Sequence, residues 1–202
     1  MTITRQSLLT HFSLSPQRDY HPQSLGRLTG ITTDDFRPAA VLVGFIDRPT
    51  GLSILLTKRA QHLRHHPGQI SFPGGKQDPT DLDLIETALR ETEEEVGIAK
   101  ELITPIGVLP PLPTISQFNV TPILAFIDEK HQLVINTDEV AEVIKIPILK
   151  LLDKSALKTA TFTIKKTQHR LFGISYKHHF IWGVTGQILH NLAIHLSCTD
   201  TK

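Results

Sequence analysis

Residues 72–98 read FPGGKQDPTDLDLIETALRETEEEVGI, a tight turn that runs into a helix. The helix is visible in its spacing. Leu84, Ile85, Ala88, Leu89, Thr92 and Val96 fall on an i, i+4, i+8 stripe, which predicts a helix over 83–96 with one apolar side. Gly97 ends it, because glycine takes the left-handed closing conformation without steric cost. Thr80 or Asp81 is the expected N-terminal cap. The Pro73-Gly74-Gly75 turn stands before the helix, and residues 69–72 read as a short strand leading into that turn.

The flanking chain supplies strands. Residues 39–47 and 52–58 are rich in Val, Ile and Leu, and Arg48-Pro49-Thr50-Gly51 between them predicts a hairpin. Further strands are expected near 103–109, 118–127, 132–136, 160–165, 169–175 and 178–182. Pro110, Pro111 and Pro113 enforce a loop between the first two of these. A last helix over 184–196 places Val184, Ile188, Leu189, Leu192 and Leu196 on one side. Strands outnumber helices, with helices between and after them, so the expected class is an α/β sandwich around a mixed sheet. Residues 1–37 read as an arm with a short helix near 3–12, and the rest as one domain.

The 202 residues carry 21 Lys+Arg and 20 Asp+Glu, for a net charge of +1. That balance gives no electrostatic case for nucleic acid or an anionic membrane as the main partner. One cysteine, Cys198, excludes an internal disulfide framework and a multi-cysteine zinc site, and it reads as an ordinary tail residue. No apolar run approaches the ~20 residues a membrane span needs, and no secretory leader is read, so a cytoplasmic setting is expected.

The even total hides a local imbalance. Eight of the acids lie within residues 78–95, whereas residues 58–66 hold Lys58, Arg59, His62, Arg64, His65 and His66 and no acid. Within the acidic run Glu91, Glu94 and Glu95 stand at i, i+3 and i+4, sharing an arc of about 100° on the helix. Carboxylates so close repel, and a divalent cation would remove the repulsion. Oxygen-only ligands favour Mg²⁺ or Mn²⁺ over zinc. Arg90 lies four residues from both Glu86 and Glu94 and could pair with either. Read alone, this face is either a solvated acidic surface or a cation site. The spacings of His62, His65 and His66, and of His178 and His179, match no zinc motif. One of the His178–His179 pair is expected to pack beneath the sheet, and Trp182 in the core.

These residues resemble a known family. Gly75, then Asp81, then Arg90-Glu91-Thr92-Glu93-Glu94-Glu95-Val96-Gly97-Ile98 resembles the Nudix box, with Asp81 in place of its early glutamate and one extra residue before Arg90. Leu55-Leu56-Thr57-Lys58-Arg59-Ala60, followed by Leu63 and by His66-Pro67-Gly68-Gln69-Ile70-Ser71-Phe72-Pro73-Gly74-Gly75, is similar to the upstream motif of the coenzyme A pyrophosphatase branch. Leu109 to Thr114, Phe118 to Pro122 and Ile181 to Thr185 fit that branch too. The resemblance covers about residues 38–195. It implies a Nudix-type α/β/α sandwich over 38–197 and metal-dependent hydrolysis of the diphosphate of coenzyme A or an acyl derivative. Alternatives are another nucleoside diphosphate derivative, such as ADP-ribose, NADH or a dinucleotide, or a non-catalytic binding module. By the resemblance, Glu91, Glu95 and Glu94 are the metal ligands and Arg90 belongs to the catalytic set. Gly74, Gly75, Lys58 and Arg59 are the substrate-binding candidates, with Lys58 or Arg59 meeting the 3′-phosphate. The general base stays open among Glu91, Glu94, Glu139 and Glu142, and a homodimer stays open as well.

Overall fold

The computed structural model describes residues 3–14, 18–28, 32–153, 155–164 and 167–197. Cys198 lies outside them. Two strands form the centre: β1 (Arg37–Ile46) and β7 (Phe118–Ile127) run parallel, in register from Arg37–Phe118 to Ile46–Ile127. Both are near-continuous apolar runs, as befits strands covered on both faces. Ala40, Leu42, Ile46, Ile123, Ala125 and Ile127 point to one core, and Val43, Phe45, Leu124 and Phe126 to the other.

The remaining strands extend this mixed sheet. β2 (Ser53–Arg59) closes the expected hairpin with β1 and takes β3 (Ile70–Ser71) and β8 (Val140–Pro147) as antiparallel neighbours. The Gly-Gly segment is itself a short strand, β4 (Gly74–Lys76), paired with Ala39–Val41 of β1. β5 (Ile103–Val108) and β6 (Leu112–Pro113) pair with β7.

Helix α2 (Leu84–Val96) covers the first face, burying Ala88 and Val96 beside Ile98. The other face is covered by α4 (Gly183–Ser197), through Ile188, Leu189, Leu192 and Leu196, with α1 (Arg5–Leu14) beside it. A separate antiparallel sheet of β9 (Leu157–Ile164), β10 (Thr167–Tyr176) and β11 (His179–Trp182) completes that layer, after a one-turn helix α3 (Leu149–Leu152). The expected α/β sandwich with a mixed sheet is the fold. Among the described residues no helix is long and apolar enough to cross a membrane.

Three expectations need correction. Residues 132–136 are not a strand. Val134 and Asn136 donate their backbone N–H groups to Val96 O (2.9 Å) and Glu95 O (3.0 Å), so the segment closes the end of α2 instead of joining a ladder. The strand comes later, as β8, with a short α3 behind it. The cap of α2 is Asp83, whose carboxylate accepts from Glu86 N at 2.8 Å, and not Thr80 or Asp81. Trp182 is 44% exposed on β11, with Phe180 at 50%, because this strand alternates between the core and open solvent.

The N-terminal segment shares the main core. Leu8 is fully buried with Ile3 and Tyr20 in the α4-side cluster, and Arg5 pairs with Asp47 at the end of β1. Leu8→Ala should therefore destabilise the whole domain by about 2–5 kcal/mol, as for other buried leucines. Chemical denaturation should show one transition shifted to lower denaturant, and two separate transitions would mean the arm folds apart.

Candidate active site

The site begins where β4 meets α2. Gly75 lies against Glu91: a Cβ built on Gly75 would fall 2.4 Å from Glu91 Oε1. The absence of a side chain there is what lets the carboxylate sit over the β4 backbone. Gly74, at φ 151°, is held for a different reason, since a Cβ would strike Ala40 O at 2.3 Å and Val41 Cα at 2.6 Å.

Glu95 points inward. It is 4% exposed, and its Oε2 accepts from Thr57 Oγ1 at 3.1 Å while Oε1 accepts from Gly74 N at 3.4 Å. Burial pushes its carboxyl up to about 7, against those two hydrogen bonds and together with the charges of Glu91 and Glu139. Glu91 is raised in the same direction, first by burial and then by Glu94 and Glu139, against the pull of Arg90.

Arg90 organises the outer part. Its Nε and Nη2 donate to Asp81 Oδ1 and Oδ2 at 2.9 and 3.0 Å, a two-pronged contact. Nη1 donates to Glu91 Oε1 at 2.9 Å and Glu94 Oε1 at 3.3 Å, and Nη2 also reaches Lys76 O at 3.3 Å. The expected partner Glu94 is thus present, but Glu86 is not: it pairs with Lys100. Asp81 carries a role that its spacing hid. It is almost fully buried, it also accepts from Thr87 Oγ1 and Asp78 N, and Arg90 above all holds its carboxyl well below the usual range. The turn that leads into α2 places residue 81 against residue 90, and the sequence signal was the family's acid at that point in the box.

The glutamates do not converge as one tight set. Arg90 holds Glu94 outward, where it is half exposed, while Thr57 and Gly74 hold Glu95 inward. Among the described residues, the three-donor group whose ligand atoms all lie within 4.8 Å of one another is a different one: Glu142, His178 and His179. The donor chemistry at α2 still fits a hard cation, since all the groups are carboxylates and a carboxylate is buried there with its charge unbalanced. Glu139, on the loop before β8, adds a fourth acid that raises both Glu91 and Glu95.

The cationic candidates divide between the two faces. Thr57 and Arg59 share one side of β2, the side of Glu95, and Arg59 Nε donates to His65 O at 3.4 Å. Lys58 takes the other side, opposite Ile70 and Glu142. Glu142 therefore faces away from Glu95, which removes it from the open choice of base. The loop between Arg59 and β3 is fastened to the Glu139 loop by Ala60 N to Glu139 O (2.8 Å) and by His62 Nε2 with Asp138 O (3.0 Å).

The NUDIX domain family matches residues 35–166. A protein of Pectobacterium atrosepticum named as an uncharacterized Nudix hydrolase NudL is 44% identical over 165 residues, or 80% of this chain and 83% of that one. Its namesake in Enterobacter sp. is 41% identical over 160 residues, covering 79% and 83%. Among solved structures, the M. smegmatis Nudix hydrolase RenU aligns over 58% of this chain and 74% of its own, at 24% identity and a TM-score of 0.49. A C. elegans Ap4A hydrolase binary complex aligns over 55% and 80%, at 23% identity and 0.46.

Two outcomes test this geometry. Gly75→Ala should fold, because the obstructing atom is the end of a flexible side chain, but it should displace Glu91 and lose hydrolysis. Gly74→Ala should lower stability markedly, because it meets backbone. Melting curves and rates on both variants distinguish the cases, and equal stabilities would contradict them. Glu95→Gln should stabilise the metal-free protein at pH 8. Gln keeps an acceptor for Gly74 N and removes a buried charge that costs up to roughly 3 kcal/mol for a carboxyl moved from 4.5 to about 7. The folded-state value is raised, so the wild-type penalty is full above about 7 and disappears below the unfolded value near 4.5. The difference in melting temperature between the two proteins should shrink across that window.

Proposed function

This chain belongs to the Nudix hydrolase family and is a pyrophosphatase, and from that premise we propose that coenzyme A and its thioesters are the substrates, cleaved to 4′-phosphopantetheine and adenosine 3′,5′-bisphosphate. One observation carries the substrate reading. The stretch from Thr57 to Gly75 is a single structural unit that joins a cationic strand end to the glutamate cluster. Thr57 bonds Glu95, Arg59 follows on the same side, and Gly74 and Gly75 return against Glu95 and Glu91. A substrate with a diphosphate and a second, separate phosphate needs such a pairing of metal ligands and a cation.

Divalent metal, Mg²⁺ or Mn²⁺, supplies charge neutralisation at the diphosphate and activation of water when bound. Glu91 and Glu95 would hold it, with Glu94 and the backbone carbonyl of Gly75 as further donors. The raised Glu95 carboxyl favours exchange of a proton for a cation near neutral pH. Arg90, fixed by Asp81, orients Glu91 and Glu94 and is a positioning residue. Glu95→Gln should lower turnover to below about a tenth of wild type at saturating metal, since such losses are worth several kcal/mol.

Arg59 is the cation assigned to the 3′-phosphate, and Lys58, on the opposite face, is not. A charge-assisted contact is worth roughly 1.5–3 kcal/mol, or one to two decades. Coenzyme A should be preferred over its dephosphorylated form by that factor, with ADP-ribose poorer still. Arg59→Ala should erase the preference, and Lys58→Ala should leave it. Product analysis with Mg²⁺ and specificity constants for the three compounds test this. Equal constants for coenzyme A and ADP-ribose would refute the substrate and leave the hydrolase.

A further inference from the structure

Glu142 of β8, His178 in the turn between β10 and β11, and His179 of β11 each bring one ligand atom within 4.8 Å of the others. His179 is buried, with Nε2 3.3 Å from Glu142 Oε1. His178 is exposed, and its ring lies 3.9 Å from that of His179, centre to centre, tilted by 43°. The group stands apart from the α2 carboxylates. Val143 lies across β2 from Thr57 and packs with the α2-side core, so Glu142, one residue earlier and across from Lys58, takes the opposite face of the sheet.

An ion pair between His179 and Glu142 needs no second imidazole. Neighbouring residues on a regular strand point to opposite sides, so two adjacent histidines reach one carboxylate only where the chain turns. Lys177 supplies that turn, at φ 53°. Two imidazoles and one carboxylate form a donor set for a borderline cation with positions left open to water, unlike the all-oxygen set on α2. Zinc bonds of about 2.0–2.1 Å place tetrahedral ligand atoms roughly 3.3 Å apart. The His179–Glu142 edge has that length, 3.3 Å, already. The remaining closure falls to Glu142 and His178, both open to solvent, which can turn and admit a hydrated ion.

We propose that Glu142, His178 and His179 form a second, separate metal site that takes Zn²⁺ and ties the β10–β11 hairpin to β8. The site lies three residues along the chain from Glu139, so an ion there braces the strand that carries the Glu139 loop. With three protein ligands, the affinity stays below that of a closed four-ligand centre.

Calorimetry with Zn²⁺ on chelator-treated, tag-free protein tests this, with Mg²⁺ in large excess to occupy the α2 carboxylates. One Zn²⁺ per chain is expected, with a rise in melting temperature. Co²⁺ in its place should give visible absorption of a nitrogen-containing site. His178→Ala, at an exposed position, should fold as wild type and weaken Zn²⁺ binding by at least about 10- to 100-fold, as should Glu142→Gln. Absence of stoichiometric binding under excess Mg²⁺, or an affinity unchanged in His178→Ala, overturns the site. Zinc that persists in His178→Ala but is lost in Glu95→Gln would belong to the α2 carboxylates and overturn it equally.

Discussion

The Arg90 guanidinium is set among the carboxylates of Asp81, Glu91 and Glu94, and the arrangement of the site depends on it. Asp81 fixes it from below with both oxygens, and Lys76 O holds it from β4. From that fixed position it reaches Glu91 and Glu94 through a single nitrogen. The Asp81 side chain is covered by Arg90 and Thr87, and its two-pronged geometry makes the pair strong as long as both members stay. Removing either leaves an uncompensated charge against α2. A lysine in place of Arg90 could not hold both Asp81 oxygens and still extend to the glutamates, because it lacks the planar fork. The loop of Asp78 to Asp83 therefore serves the site by presenting Asp81, besides supplying the Asp83 cap.

The same helix carries opposite demands along its length. At its start, Asp83 and Glu86 accept backbone N–H groups, where negative charge suits the helix dipole. At its end, Glu94 and Glu95 stand where negative charge is disfavoured, and no basic residue occupies the last turn. Burial adds to the cost at Glu95. The chain accepts that cost next to Gly74 and Gly75, whose missing side chains bring the β4 backbone up to the carboxylates. Local structure is here less stable than it could be in the place where a cation can bind.

Much of this was legible in the sequence, for reasons that differ by element. Helix α2 and the β1–β2 hairpin follow from local spacing and turn chemistry, and β7 from the apolar run Ile123 to Ile127. Gly97 stops α2 as expected, with its N–H on Glu93 O. The failures share a cause. Residues 132–136 hold the apolar run Leu133-Val134-Ile135, yet their hydrogen bonds go to the end of a helix some forty residues earlier in the chain. Val140–Pro147 is interrupted by Glu142 and Lys145, and it becomes a strand because β2 has a free edge to pair with. Trp182 looks like core by composition, but it lies on the outer side of β11, a strand at the sheet's edge. In each case the deciding partner is remote.

The sheet also separates what the sequence placed side by side. Thr57, Lys58 and Arg59 are consecutive, and so are Glu142 and Val143, yet strand alternation sends their side chains to two faces with different chemistry. On the α2 face stand carboxylates with an arginine, a setting for a hard cation and phosphate oxygens. On the α4 face stand two histidines, one carboxylate and a lysine, a softer donor set near the protein's edge. β2 and β8 are common to both, and Glu139, on the loop that leads into β8, lies three residues before Glu142. A change in how tightly the β10–β11 hairpin holds Glu142 therefore acts on the strand that the Glu139 loop leads into. β8 is pinned along β2 from Ser53 to Arg59, and the Glu139 carbonyl accepts from Ala60 N just beyond, so the path from Glu142 to Glu139 is held at both ends and slips in register only between Lys58 and Arg59.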